Sequence, residues 1–106
     1  MNMINIATAS RKIGRNKGKP RLWLEGDILQ AHGFHHGAQW ILVKANNSLF
    51  IELVKTEDKK INGERVRKVS GKAGRPVIDI TGASLGNIGE RESVEIKAAL
   101  GLIKIA

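Results

Sequence analysis

Apolar and polar positions alternate in short runs along this chain, and the runs recur in the same order twice. From Arg21 to Glu25, Leu22 and Leu24 fall on one side of an extended segment and Arg21, Trp23 and Glu25 on the other. Asp27 then stands where it caps one or two helical turns through Ile28–His32, and Gly33 suits the left-handed position that ends them. Phe34 folds back as an apolar plug, and His35-His36-Gly37 turns the chain into a second alternating run, Trp40–Ala45. Asn46-Asn47 reads as a hairpin turn, because asparagine tolerates positive φ, and Leu49–Val54 returns as the partner strand.

The second copy begins 56 positions on. Pro76-Val-Ile-Asp-Ile-Thr-Gly82 repeats the layout of Pro20-Arg-Leu-Trp-Leu-Glu-Gly26, with Leu29 and Leu85 at the same offset. Val94–Ala98 answers Ile41–Ala45, and Leu102–Ile105 answers Phe50–Leu53. Its helical turn, Ala83–Asn87, is weakened by Gly86, and its connections are shorter. A unit of this size cannot bury its apolar face alone, so the two copies are expected to complete one shared core. The organisation expected is a flexible basic tail (1–19), repeat 1 (20–54), a basic linker (55–75) and repeat 2 (76–106). Residues 20–106 would then form one domain.

Composition changes this picture little. Apolar residues make up 42% of the 106 and aromatics only 4%, so the core is aliphatic. The absence of cysteine excludes disulfides and thiolate zinc sites. No apolar run approaches the roughly 20 residues that span a bilayer, and the start is too short and uncharged for a signal peptide. A cytoplasmic protein without membrane contact is expected.

Charge changes it more. The net +8 is concentrated in two places. Arg11, Lys12, Arg15, Lys17, Lys19 and Arg21 come with no acid before residue 22, and residues 55–75 carry a net +5 that includes Arg65, Arg67, Lys68, Lys72 and Arg75. The remainder sums to −3. Basic segments of this kind suit phosphate backbones, which release condensed counterions when Lys and Arg replace them. Basic tails serving solubility alone are the plain alternative.

The stretch Leu22-x-Leu24-x-Gly26-x-x-Leu29-x-Ala31-x-Gly33-Phe34-x-x-Gly37, followed by an alternating hairpin, resembles the SymE toxin family. That family is itself similar to swapped-hairpin DNA-binding domains of the AbrB/SpoVT type. Ile78-x-Ile80-x-Gly82-x-x-Leu85 with Val94-Glu95-Ile96 resembles the general AbrB pattern. The resemblance implies a mostly-β protein of two βαββ-like repeats, forming an intramolecular swapped-hairpin barrel. Such a protein would be a pseudo-dimeric monomer or a homodimer. The resemblance also implies arginines at the strand–helix junctions that contact DNA. Here the matching positions supply Arg21 and Arg91, and otherwise Glu25, Asp27, Asp79 and Thr81, so most of that arginine surface is missing.

Catalytic constellations are sparse. His32, His35 and His36 lie close together, but histidines on one turn cannot flank a phosphate from both sides, and no cysteine joins them as a metal ligand. Glu25 and Asp79 on neighbouring strands suit an acidic metal pair less well than plain solvation. Gly71-Lys72-Ala73-Gly74 lacks the phosphate-loop pattern. Neither a cofactor nor a metal is expected, and enzymatic activity is not, a SymE-like RNA-targeting toxin being the reading that would supply it. Trp23, outward among cations, is placed to stack on a base or fill a partner's pocket. The expected function is non-catalytic binding of DNA or RNA. Its rival is a small inhibitor, such as phages carry against host defence, docking on a host nucleic-acid-handling complex.

Overall fold

Both repeats turn out to begin earlier than their prolines suggest. The computed structural model describes residues 6–106. The first unit runs β1 (Ala7–Lys12), β2 (Gly14–Asn16), β3 (Lys19–Glu25), a short helix α1 (Asp27–Gln30), then the hairpin of β4 (Gln39–Ala45) and β5 (Ser48–Val54). A small hairpin of β6 (Lys60–Ile61) and β7 (Glu64–Arg65) follows. The second unit runs β8 (Arg67–Lys68), β9 (Ser70–Lys72), β10 (Arg75–Thr81), a 3-10 segment (Gly82–Glu90), then the hairpin of β11 (Ser93–Ala99) and β12 (Leu102–Ile105). No helix among the described residues is long and apolar enough to cross a membrane.

Two antiparallel sheets carry the fold. Sheet A has the order β1-β11-β12-β5-β4-β8, and sheet B the order β2-β3-β10-β9. Exchanging the two units reverses each order onto itself. The like strands of the two units meet at the centre of each sheet: Trp23 faces Asp79 across β3 and β10, and Ile51 faces Ile103 across β5 and β12. Each unit also lends its first strand to the other's hairpin, β1 to β11 and β8 to β4. Leu22, Leu24, Leu29, Phe34 and Ile51 are buried together with Ile78, Ile80, Leu85, Ile96, Ile103 and Ile105.

Among the described residues the swapped-hairpin barrel expected from the sequence does not close. Sheet A ends at β1 and β8, sheet B at β2 and β9, and the molecule is mostly β in two open, antiparallel sheets. The flexible tail is also corrected. From Ala7 to Lys12 the chain pairs residue for residue with β11, and Ile13 is buried in the core. Its alternation of Ala7, Ala9 and Arg11 inward is too weak in apolar side chains to read as a strand alone. The first five residues of that tail lie outside the described ones. The stretch read as a linker likewise holds four short strands, and its Val69 is a core residue.

Local expectations fare unevenly. Gly33 ends the helical turns at φ 91, and Phe34, fully buried, donates its backbone N–H to the Leu29 carbonyl at 3.0 Å. Asp27 makes no cap; it is the first helical residue and Gly26 holds the cap position at φ 81. Asn46-Asn47 does turn the first hairpin, but neither has positive φ. The left-handed asparagine is Asn62, at φ 51 beside Gly63, in the turn between β6 and β7.

Candidate nucleic-acid and partner interface

The outer face of sheet B is set by strand alternation. Leu22 and Leu24 of β3 and Ile78 and Ile80 of β10 point inward, which turns Arg21, Trp23, Glu25, Asp79 and Thr81 outward. Trp23 remains 43% exposed at the middle of this face. The Arg21 guanidinium lies 4.6 Å from its ring centroid, a cation–π arrangement. Arg21 also grips Asp79 with both ends of its fork, Nε donating to Oδ1 at 3.0 Å and Nη2 to Oδ2 at 2.9 Å. The hydrogen bonds to Asp79 hold Arg21 above its ordinary pKa, so it stays charged. On the other side, Trp23 Nε1 donates to Glu25 at 3.1 Å, and Arg75 Nη2 to the same carboxylate at 3.2 Å. Asp79, Arg21, Trp23, Glu25 and Arg75 thus form one continuous line across the sheet.

Basic hairpin tips stand at both ends of that line. The β2–β3 tip carries Arg15, Lys17 and Lys19, all exposed, with Lys17 at φ 54 in the turn. The β9–β10 tip carries Lys72 and Arg75, also exposed. Because β3 and β10 run antiparallel, the tips project at opposite ends of sheet B. The seven residues of β3 set them about 20 Å apart, at about 3.4 Å per residue. Beside the second tip lies a depression of about 360 Å³ lined by Trp23, Glu25, Ser70, Lys72, Arg75 and Val77.

The remaining sequence-derived candidates are dispersed. Arg11 shares a depression of about 590 Å³ with Trp23, Glu25 and Arg75, while Lys12 is exposed at the end of β1. Arg65, Arg67 and Lys68 gather beside Trp40 at the edge of sheet A, and Arg67 lies 5.2 Å from the Trp40 ring centroid. Arg91 is elsewhere, donating to the Asn47 carbonyl at 3.3 Å, so it braces the β4–β5 turn against the 3-10 segment. The histidines separate as well. His32 is buried with Nδ1 donating to the Ile28 carbonyl at 2.7 Å, whereas His35 and His36 are exposed. Among the described residues no three His, Asp or Glu side chains gather as metal ligands.

The sequence reading missed the partners rather than the cations. Glu25 and Asp79 engage arginines, and the signal for this was present: each lies on the same outward face as the arginine it holds. A search of family models, of curated proteins and of solved structures finds no match to this chain.

Proposed function

We propose that this protein binds nucleic acid without transforming it, laying the outer face of sheet B along the phosphate backbone. One observation carries the reading: Lys19 at one hairpin tip and Lys72 and Arg75 at the other share the outer face of sheet B with a half-exposed tryptophan. Lysines and arginines on the tips neutralise phosphates, while the indole between them offers a stacking surface that suits any base. The proposal includes kinship in fold with the AbrB-type swapped-hairpin domains, here in a single chain. The exchange of first strands between units and the meeting of like strands at each sheet's centre support it. The non-catalytic part is supported by His32, whose Nδ1 is spent on a backbone carbonyl and is not offered alongside His35 and His36.

The test is a gel shift with duplex DNA and single-stranded RNA at two salt concentrations. Replacing Lys17 and Lys19 with glutamine should reduce the slope of log K against log salt by up to about 1.8 on duplex DNA, at about 0.9 per phosphate contact. Trp23→Ala should weaken single-strand binding by about 1–3 kcal/mol. Salt-insensitive binding, or none, would overturn the proposal.

A second reading has its own observation. Arg21 and Arg75 are already paired with Asp79 and Glu25, so the centre of the face is nearly neutral around an exposed indole. That is the character of an interface anchor for a protein partner. On this reading the chain is an inhibitor or accessory protein, and Trp23→Ala abolishes capture of one defined host complex without affecting any nucleic acid.

A further inference from the structure

The edge of sheet A where β8 meets β4 contains hydrogen-bond donors that the fold leaves unused. Trp40 is 2% exposed, and its indole Nε1 has no acceptor among the described residues; neither has Nε of Arg67, the residue directly opposite it in register. The Arg67 guanidinium lies over the indole, and its one side-chain hydrogen bond among those residues is to Ser84 Oγ at 3.4 Å, near the limit of such a bond. Buried donors are ordinarily satisfied, and two adjacent exceptions call for a ligand that accepts.

The surroundings specify its charge. A pocket of about 390 Å³ is lined here by Trp40, Arg65, Arg67, Lys68 and Asp79, among others. Three of these are cations, and the carboxylate of Asp79 is already held at both oxygens by Arg21. Arg67 is pushed below its ordinary pKa, first by burial and then by the like charge of Arg65, with Glu64 opposing. Glu64 acts on it only from beyond ion-pair distance, and among the described residues no carboxylate pairs with Arg67 directly. The equivalent position in the first unit, Arg11, is bound to the neighbouring Ser10 carbonyl and has no indole beneath it.

We propose that the pocket between β8, β4 and β10 binds a single phosphate-type oxyanion, with Arg67 and the Trp40 indole N–H as its buried donors and Arg65 and Lys68 at its rim. Both unused nitrogens are sealed from solvent, so binding requires Arg67 to pivot from the indole face, releasing its long bond to Ser84. An oxyanion provides several acceptors for the planar fork of arginine at once. The inference does not rest on the reading of sheet B, since the phosphate group has the same chemistry in a free ester or in a nucleic-acid backbone.

Nuclear magnetic resonance of the full chain tests it, because the protein has two indole N–H signals and Trp23→Phe assigns them. Titration with inorganic phosphate should move the Trp40 signal saturably, leaving Trp23 in place, and chloride at matched ionic strength should move neither. A short oligonucleotide titrated in parallel identifies the source. A response of Trp40 to phosphate alone indicates a free ester, and a response to the oligonucleotide alone indicates a backbone phosphate. Arg67→Lys keeps the charge but removes Nε and the fork, and should weaken the titration at least tenfold. Phosphorus line broadening then follows Trp40→Phe, expected to bind several-fold more weakly, with amide dispersion confirming that each variant is folded. A Trp40 signal that neither phosphate nor oligonucleotide moves overturns the proposal, as does folded Arg67→Lys or Trp40→Phe protein that binds like the parent.

Discussion

At the scale of single residues, Gly71 and Asp79 have roles that residue type alone does not announce. Gly71 sits at φ 89, where a Cβ would press on the Arg75 carbonyl oxygen and come within 3.0 Å of the Val77 nitrogen. Gly71→Ala should therefore cost more than about 1 kcal/mol in urea unfolding. Gly74→Ala, at φ 82 but facing open space, should cost less, and the difference isolates the steric contribution. Leu29→Ala and Leu85→Ala, both fully buried in the shared core, should each lose about 2–5 kcal/mol. Asp79→Asn acts on the surface. It releases Arg21 from a part-exposed pair that solvent screens, so stability should change little. If sheet B contacts phosphates, the freed cation tightens binding and steepens its salt dependence by about 0.9. A gel shift in which Asp79→Asn binds more weakly would contradict phosphate contact by this face.

At the scale of elements, the strands with strong alternation were legible and the charged ones were not. Leu22/Leu24, Ile78/Ile80 and Ile96/Ala98 announce themselves because water is excluded from one side only. β1, β2, β8 and β9 carry mostly polar residues, and their pairing depends on strands far away in sequence. Yet the repeat is written there too: Arg11-Lys12-Ile13, with Gly18-Lys19-Pro20, matches Arg67-Lys68-Val69, with Gly74-Arg75-Pro76, at the same offset of 56. Counting those cations as solvent-facing tail and linker concealed the match. Asn62-Gly63 was a stronger hairpin signal than Asn46-Asn47 and went unused for the same reason. Of the candidate site, the cations and Trp23 were legible, but their gathering into a line with Glu25 and Asp79 required the β3–β10 register. Removing residues 1–12 should consequently destabilise the protein by at least about 2 kcal/mol, the scale of uncovering one or two aliphatic side chains. Hydrogen exchange provides the complementary measurement: amides of β1 that pair with β11 should be protected, not free.

At the scale of the whole molecule, neither unit is a structure by itself. β3 needs β10, β5 needs β12, and each hairpin takes its outer neighbour from the other unit. Residues 1–57 expressed alone should be unfolded, or should dimerise to replace the missing unit. Size-exclusion chromatography with circular dichroism distinguishes these from a folded monomer, which would contradict the interlocked arrangement.

β12, only four residues long, bridges β11 and β5 near the middle of sheet A. A ribosome makes it after the other described strands, so until then the two halves of that sheet have nothing between them. Growing chains must therefore hold two unpaired strand edges and much of the aliphatic core open to solvent or to a chaperone, and folding waits for a single late segment. A stalled or prematurely terminated chain should then be recovered as aggregate or degraded rather than as a smaller working protein.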